Sequence, residues 1–341
     1  MPPRRSGRVT LVDVAQRARV DKAIVSRVVN QDPTLVIRDE TRARVVAAVS
    51  ELGYRTNAAA RSLRTARSAM IGMLIPDFAN PVYAEIIAGA EQAALAHGYV
   101  LVTGSAQDLR TTSDQYIEML GAGRVDGLLL AGSRLGRGVQ AQLLEQKLPW
   151  LMINRNPRPH GNRYIVLDDA AAARLAVSHL VNLGHLRLAH VAGPKDADTA
   201  ARRAKGYRAQ LRASGIDVDP ELAVGADYTP AGGALAMAEL LDRGVRPTAA
   251  FVANVASAIG VLDTLRRRHL RVPEDMSIVA VHDLPLAAYL APALTTVRMP
   301  LHRLGEQAVE LLLTRSVSES IEVTVGEDIE LIVRESTAPP R

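Results

Sequence analysis

The 341-residue chain has no cysteine, which excludes disulfides, thiolate metal sites and a cysteine nucleophile. It has no apolar run long enough to span a bilayer, so no membrane partner is expected. Behind the basic start MPPRRSGRVTL there is no apolar stretch of the kind a secretory signal needs, and a cytoplasmic address is expected. Catalytic signatures are missing as well. No strand, Gly-x-Ser-x-Gly and helix elbow occurs. GAGRVDG follows a helical pattern and precedes a strand, the reverse of the order in a dinucleotide loop. Ser178-His179 and Asp168-Asp169 are adjacent pairs that a helix turns to different faces. His179, His185 and His190 straddle a helix end, a turn and a strand, a poor set for a metal. No enzyme activity, metal or cofactor is expected.

What is present is a lopsided charge. The net charge of +5 conceals 14 Lys+Arg against 6 Asp+Glu in residues 1–67, and 27 against 30 in the remainder. A small basic head on a slightly acidic body is the electrostatic outline of a nucleic-acid module joined to something else. A chain of this length holds two or three packed units, and 48% hydrophobic with 23% charged residues is the composition of a globular protein.

The head opens on LVDVAQRARVDKAIVSRVVNQ. Leu11, Val14, Ala15 and Ala18 recur at helical spacing, and Val25, Val28 and Val29 repeat the pattern in a second short helix. Asp21 is placed to cap that second helix, and Val20 to plug the angle between the two. Neither helix buries enough surface alone, which is the logic of a helix-turn-helix. The second helix exposes Lys22, Ala23 and Arg27 toward a major groove. Lys22 and Arg27 are expected to bond base edges, guanine above all, and Ala23 to touch a thymine methyl. A third helix is expected from Asp39 to Leu52, with Val45, Val46, Val49 and Leu52 as its inner face and Gly53 as its stop. From Ser68 onward the pattern becomes apolar strands alternating with helices. The strands include MIGMLIP, YVLVTGS, VDGLLLAG, PWLMIN, YIVLD, LAHVAG, TAAFVAN and SIVAVHD. Such alternation implies an α/β body of parallel sheets covered by helices, with strands enough for two lobes and ligands bound beyond the strands' carboxyl ends.

The stretches VTLVDVAQRARV, AIVSRVVN and ETRARVVAAVSELGYRTNAAARSLRT resemble the lactose repressor/galactose repressor (LacI/GalR) family of bacterial transcription regulators, and the likeness runs nearly to the C-terminus. It implies an N-terminal all-α helix-turn-helix head over residues 1–56. A hinge helix at 57–67 and a periplasmic-binding-protein-like body of two lobes at 68–341 follow, with chain crossings near Leu167, Arg298 and Val323. The hinge of the family folds on operator DNA and wedges a leucine into the minor groove; by position that is Leu63, supported by Asn57 and Ala60. Arg4, Arg5, Arg8, Arg61 and Arg64 are expected at phosphates. An isolated helix of about ten residues is marginal in water, and an apolar wedge between base steps bends the duplex. No heptad helix follows STAPPR, so a homodimer reading a near-palindrome is expected rather than a tetramer.

The resemblance also implies effector contacts at Asp77, Phe78, Asn80, Tyr83, Ser133, Asn154, Arg203, Asn254, Val255 and His282. Arg203 falls in RAKGY, the family's Arg-x-x-Gly-aromatic signature. Sugar-binding members often carry acids where this chain has Asn154, Val255 and His282, and carboxylates grip sugar hydroxyls well. Losing those acceptors while keeping Arg203, with Arg155 near, points to an anionic effector such as a sugar acid, a sugar phosphate or another carboxylate. Arg203 would hold it as a bidentate fork. Two alternatives stand beside this: Arg203 serves an internal ion pair, or the body is a dimerisation scaffold without a ligand. Three departures from the family pattern are visible. Arg19 stands where the turn usually has Gly, so a reshaped turn is expected. Asp21 replaces a usual Ser, and the loop from Gln31 to Arg38 is longer than usual. The expected function is thus a transcription regulator, a repressor, whose operator affinity responds to a small metabolite. A regulator answering to a partner protein and a solute-binding protein for transport are the rivals.

Overall fold

The computed structural model describes residues 9–30, 32–54, 67–105, 123–132, 143, 145, 147–156 and 163–341. They form two compact units that divide after Ser68.

The first unit is a head of three helices, α1 (Leu11–Ala18), α2 (Lys22–Val29) and α3 (Asp39–Leu52). Thr10 and Asp13 cap α1 reciprocally, and the Asp21 carboxylate accepts from the Ala23 N–H at 2.7 Å to start α2. The core joins Val14, Ala15, Ala18, Val25, Val28, Leu35, Val45 and Ala48, with Val20 packed against it. One inner-face expectation is corrected. Val46 is 56% exposed, and Ala48 takes its place, because the three-and-four spacing from Val45 leads to 48, 49 and 52 while 46 lies about 100° round the helix. The turn is not reshaped either. Arg19 itself takes the left-handed conformation, φ 54° and ψ 51°, at a cost of about 1–2 kcal/mol. The Arg19 and Val20 N–H groups bond back to Gln16 and Ala15 carbonyls at 3.3 and 3.1 Å, which seats Val20 on the core.

The second unit contains two six-stranded sheets. The first comprises β1 (Met70–Ile75), β2 (Val100–Ser105), β3 (Gly127–Leu130), β4 (Trp150–Ile153), β5 (Arg163–Leu167) and β11 (Ile321–Val325), in the order β11-β5-β4-β3-β1-β2. The second comprises β6 (Leu188–Ala192), β7 (Ala223–Gly225), β8 (Ala249–Val252), β9 (Ser277–Val281), β10 (Thr295–Arg298) and β12 (Glu330–Ile332), in the order β12-β10-β9-β8-β6-β7. All pairings are parallel except β12 with β10, an antiparallel edge, a common finish to a parallel sheet. The fully buried strands β3, β4, β8 and β9 read as near-continuous apolar runs, broken only by Ser277 at the start of β9, as expected of strands covered on both faces. Six described helices follow the strands: α4 (Val82–Ala96), α5 (Asp169–Asn182), α6 (Asp198–Ala213), α7 (Pro230–Asp242), α8 (Val255–Arg267) and α9 (Leu301–Thr314). The chain changes sheet after β5, after β10 and between β11 and β12.

In each sheet the strand order reverses direction at one place, beside β1 in the first and beside β6 in the second. Crevices beyond the carboxyl ends at such reversals are where open α/β sheets bind ligands. The turns after β1, β4, β6, β8 and β9 supply the side chains described next.

Candidate functional site

On the head, α2 buries Val25 and Val28 and leaves Lys22, Ala23 and Arg27 exposed, so apolar and basic residues separate onto opposite faces. Arg27 is held. Its Nε donates to Asp32 Oδ2 at 2.8 Å and its Nη2 to Thr34 Oγ1 at 2.9 Å. Asp32 Oδ1 accepts from the Thr34 hydroxyl and N–H at 2.7 and 2.9 Å. These Thr34 bonds first, and Arg27 next, pull the Asp32 carboxyl down to about 2. Arg4, Arg5 and Arg8, the hinge set Asn57, Ala60, Arg61, Leu63 and Arg64, and Ser133 lie outside the described residues.

In the body, Asn80, Tyr83, Asn154, Arg203, Asn254 and His282 come together around one small cavity, with Val82, Arg155, Thr199 and Tyr228 beside them. Asp77 and Phe78 do not join them. Asp77 accepts from the Ala79 N–H at 2.8 Å, and Phe78 is 57% exposed. Val255 is buried in the first turn of α8, where it packs rather than lines. Asn254 caps that helix by accepting from the Ser257 N–H at 2.8 Å.

Arg203 reaches the centre because α6 packs closely on α5. A Cβ on Gly206 would lie 2.3 Å from the Ala170 carbonyl oxygen, so the glycine of RAKGY lets the helices meet. The approach delivers both Arg202 and Arg203 to Asp169, at the start of α5. Arg203 is 3% exposed and every one of its nitrogens is engaged: Nε donates to Asp169 Oδ1 at 2.8 Å, Nη1 to the Ala253 carbonyl at 2.6 Å and Nη2 to His282 Nε2 at 2.8 Å. Burial alone pushes the Asp169 carboxyl up, but Arg203 and then Arg202 together outweigh it and hold it below the usual range. Arg203 therefore serves an internal ion pair in this conformation, which corrects the expectation of a free anion-binding fork. Asp169 supplies the negative charge that the absent acids had seemed to remove.

His282 is neutral. Burial first, and the Arg203 cation second, push it down to about 3. Because Nε2 accepts from Arg203, the ring proton sits on Nδ1. That Nδ1, together with Arg155 Nε and Asn154 Oδ1, is buried without a hydrogen-bond partner among the described residues. Arg155 lies beside Tyr83, Tyr228 and Asp198; burial opposes its charge, and these neighbours outweigh burial. Asn154 and His282 both hold left-handed backbone, φ 65° and 74°, a conformation that costs about 1–3 kcal/mol at such residues and gathers at ligand clamps.

A second arginine bridges the sheets. Arg202 donates to Asp169 at 2.7 Å, pairs with Asp198, and donates to the Asn154 carbonyl at 3.1 Å. Asp198 in turn accepts from the Asn156 N–H at 2.8 Å. Two residues of α6 thus latch onto the turn after β4. With the latch made, the cavity is about 20 Å³, room for about one water molecule.

Comparison with known proteins agrees with both halves. Residues 10–57 match the family described as bacterial regulatory proteins, lacI family, and residues 177–337 match the periplasmic binding protein-like domain. The chain is similar to the ribose operon repressor of Escherichia coli strain K12, 33% identical over 92% of this chain and 94% of that one. It is also similar to the transcriptional repressor CytR of the same strain, 34% identical over 96% of each. Among solved structures, the Lac repressor dimer bound to operator and the anti-inducer ONPF is 29% identical, with a TM-score of 0.87, covering 97% of this chain and 100% of that one. A regulator from Enterococcus faecium with bound ribose is 27% identical, with a TM-score of 0.71, covering 80% of this chain and 100% of that one.

Proposed function

Because the chain belongs to the lacI family of bacterial regulatory proteins and is a DNA-binding transcription regulator rather than an enzyme, we propose that it is a homodimeric repressor. Its effector is a small anionic metabolite with hydroxyl groups, a sugar acid or sugar phosphate, held between the two sheets. A cytoplasmic setting goes with this role; no described helix is long and apolar enough to cross a membrane.

The observation that carries the effector reading is the set of three unpartnered buried atoms on one cavity: the donors Arg155 Nε and His282 Nδ1, and the acceptor Asn154 Oδ1. Buried polar groups are almost always satisfied, and orphans call for a cause. A carboxylate or phosphate oxygen on Arg155, a further oxygen on His282 and a hydroxyl to Asn154 satisfy all three. Arg155, rather than Arg203, carries the ligand's charge. Ligand cavities usually hold about 300–1,000 Å³, so entry requires the α6 latch to part from the turn after β4, and the ligand then sets the spacing of the lobes.

On DNA, Lys22, Ala23 and Arg27 read the major groove, Leu63 with Asn57 and Ala60 enters the minor groove, and Arg4, Arg5, Arg8, Arg61 and Arg64 meet phosphates. Lobe spacing decides whether both heads of the dimer dock on their half-sites. By linkage, DNA and effector change each other's affinity by the same factor. Calorimetric titration with sugar acids and neutral hexoses tests the effector class. Binding of an acid, weakened at least tenfold by Arg155→Ala, is the expected result; tight binding of a neutral hexose that ignores Arg155→Ala overturns it.

A further inference from the structure

The loop that follows α2 reads as longer than the family pattern, and the structure gives two of its residues a task. Asp32 and Thr34 both bond the guanidinium of Arg27, and they bond each other, so that three side chains close one ring of hydrogen bonds. The ring is tied to the head at two further points. The Asp32 N–H donates to the Arg27 carbonyl at 3.0 Å, and Leu35, three residues on, is buried in the core.

A guanidinium has five N–H donors in a rigid plane. Asp32 takes Nε and Thr34 takes one hydrogen of Nη2, which together are the side edge of the fork. The end edge, formed by Nη1 and the other hydrogen of Nη2, has no partner among the described residues. That edge is a parallel pair of donors, the shape that fits O6 and N7 of guanine in the major groove.

We infer that Asp32 and Thr34 are positioning residues that lock the side edge of Arg27 so that its end edge is presented to a guanine. The added loop thereby sharpens base discrimination and adds little to affinity for DNA in general. An unsupported arginine loses several rotatable bonds on docking and exchanges readily between a base and a nearby phosphate; a braced one arrives aligned. Asp32, with its carboxyl held at about 2, stays charged at every pH at which the protein meets DNA. This inference rests on the reading of α2 as the base-contacting helix, and the test separates the two.

The full-length protein and four variants, Asp32→Ala, Asp32→Asn, Thr34→Val and Arg27→Ala, are each used to select duplexes from a randomised pool. The recovered duplex is then titrated against its single-base changes at several salt concentrations. Asp32→Asn keeps an acceptor for the Thr34 N–H and guards against loss of the loop turn, and urea midpoints show that each variant is folded. The wild type should fix one G·C pair per half-site by about 5- to 150-fold. Arg27→Ala should erase that preference. Asp32→Ala and Thr34→Val should reduce it at the same position by about tenfold, with other positions and the salt slope unchanged. Two results overturn the inference while leaving Arg27 a base reader: Asp32→Ala raises affinity equally for selected and random duplexes, or it leaves the preference intact. If Arg27→Ala itself keeps the preference, the underlying reading of Arg27 fails and the inference with it.

Discussion

Two arginine–aspartate pairs, one in each unit, set the same chemistry in opposite surroundings. Arg27 and Asp32 sit at the surface, their side chains 43% and 31% exposed; Arg203 and Asp169 are 3% and 0% exposed. Water screens the first pair, and the end edge of the Arg27 guanidinium has no partner among the described residues. The second pair is out of water, and its charges are fixed to one another by hydrogen bonds on nearly every side. The contrast teaches that an arginine in a signature motif is a ligand group only if its neighbours leave it donors to spend. Arg27 has them. Arg203, in the more recognisable motif, has each of its nitrogens engaged, and the unpartnered guanidinium nitrogen in the cleft belongs to Arg155.

The comparison is broken most severely by removing one partner of the buried pair. Asp169→Ala leaves the buried Arg203 cation without a carboxylate and should cost about 3–5 kcal/mol, read as a fall in the urea midpoint at constant slope; an unchanged midpoint would show that the pair is not buried. Acid sharpens the same point. His190, whose ring lies against those of Tyr207 and Phe251 at 4.7 and 5.0 Å, and His282 are both held near 3 against an ordinary 6.5. The unfolded chain therefore takes up protons first as pH falls. Stability is full above about 6.5 and is lost as pH drops from there toward 3, by about 1.4 kcal/mol per pH unit for each histidine. Urea midpoints at pH 5 and 7 check this, and equal midpoints would refute it. For the exposed pair the expected effect moves from stability to recognition. Arg27→Ala should lose about 1–3 kcal/mol of guanine discrimination with the urea midpoint unmoved. Smallest of all, Val46→Lys on the solvent side of α3 should change stability by no more than about 0.5 kcal/mol.

Much of this was legible in the residues. The helical spacings of the head, the Asp21 cap and the Gly53 stop are local signals, and α3 begins and ends where they put it. Eight body strands announce themselves as apolar runs. β7, β10, β11 and β12 do not, being short or partly exposed, with burial patterns that alternate or fade; pairing with neighbours far away in sequence makes them strands. The cleft was legible as a set of turns but not as a charge balance. Asp169 reads as one of two acids beside a helix, and nothing local says that α6, two elements on, lays Arg202 and Arg203 against it. Arg155 was visible only as a neighbour of Asn154. The bracing of Arg27 had a signal, an overlong loop carrying Asp32 and Thr34, yet loop length alone does not reveal where those side chains turn. Val46 failed for a simpler reason: in a run of apolar residues, chemistry does not mark which one faces out.

The account stands on a grip on duplex DNA that a small molecule in the body adjusts. Its most direct test is the affinity of the full-length protein for a selected duplex and for a random one, at one moderate salt concentration, with and without a panel of sugar acids and sugar phosphates. The account predicts a clear preference for the selected duplex, shifted about 5- to 150-fold by one of those compounds, with the shift abolished by Arg155→Ala. Equal affinity for both duplexes, whatever compound is added, would contradict it.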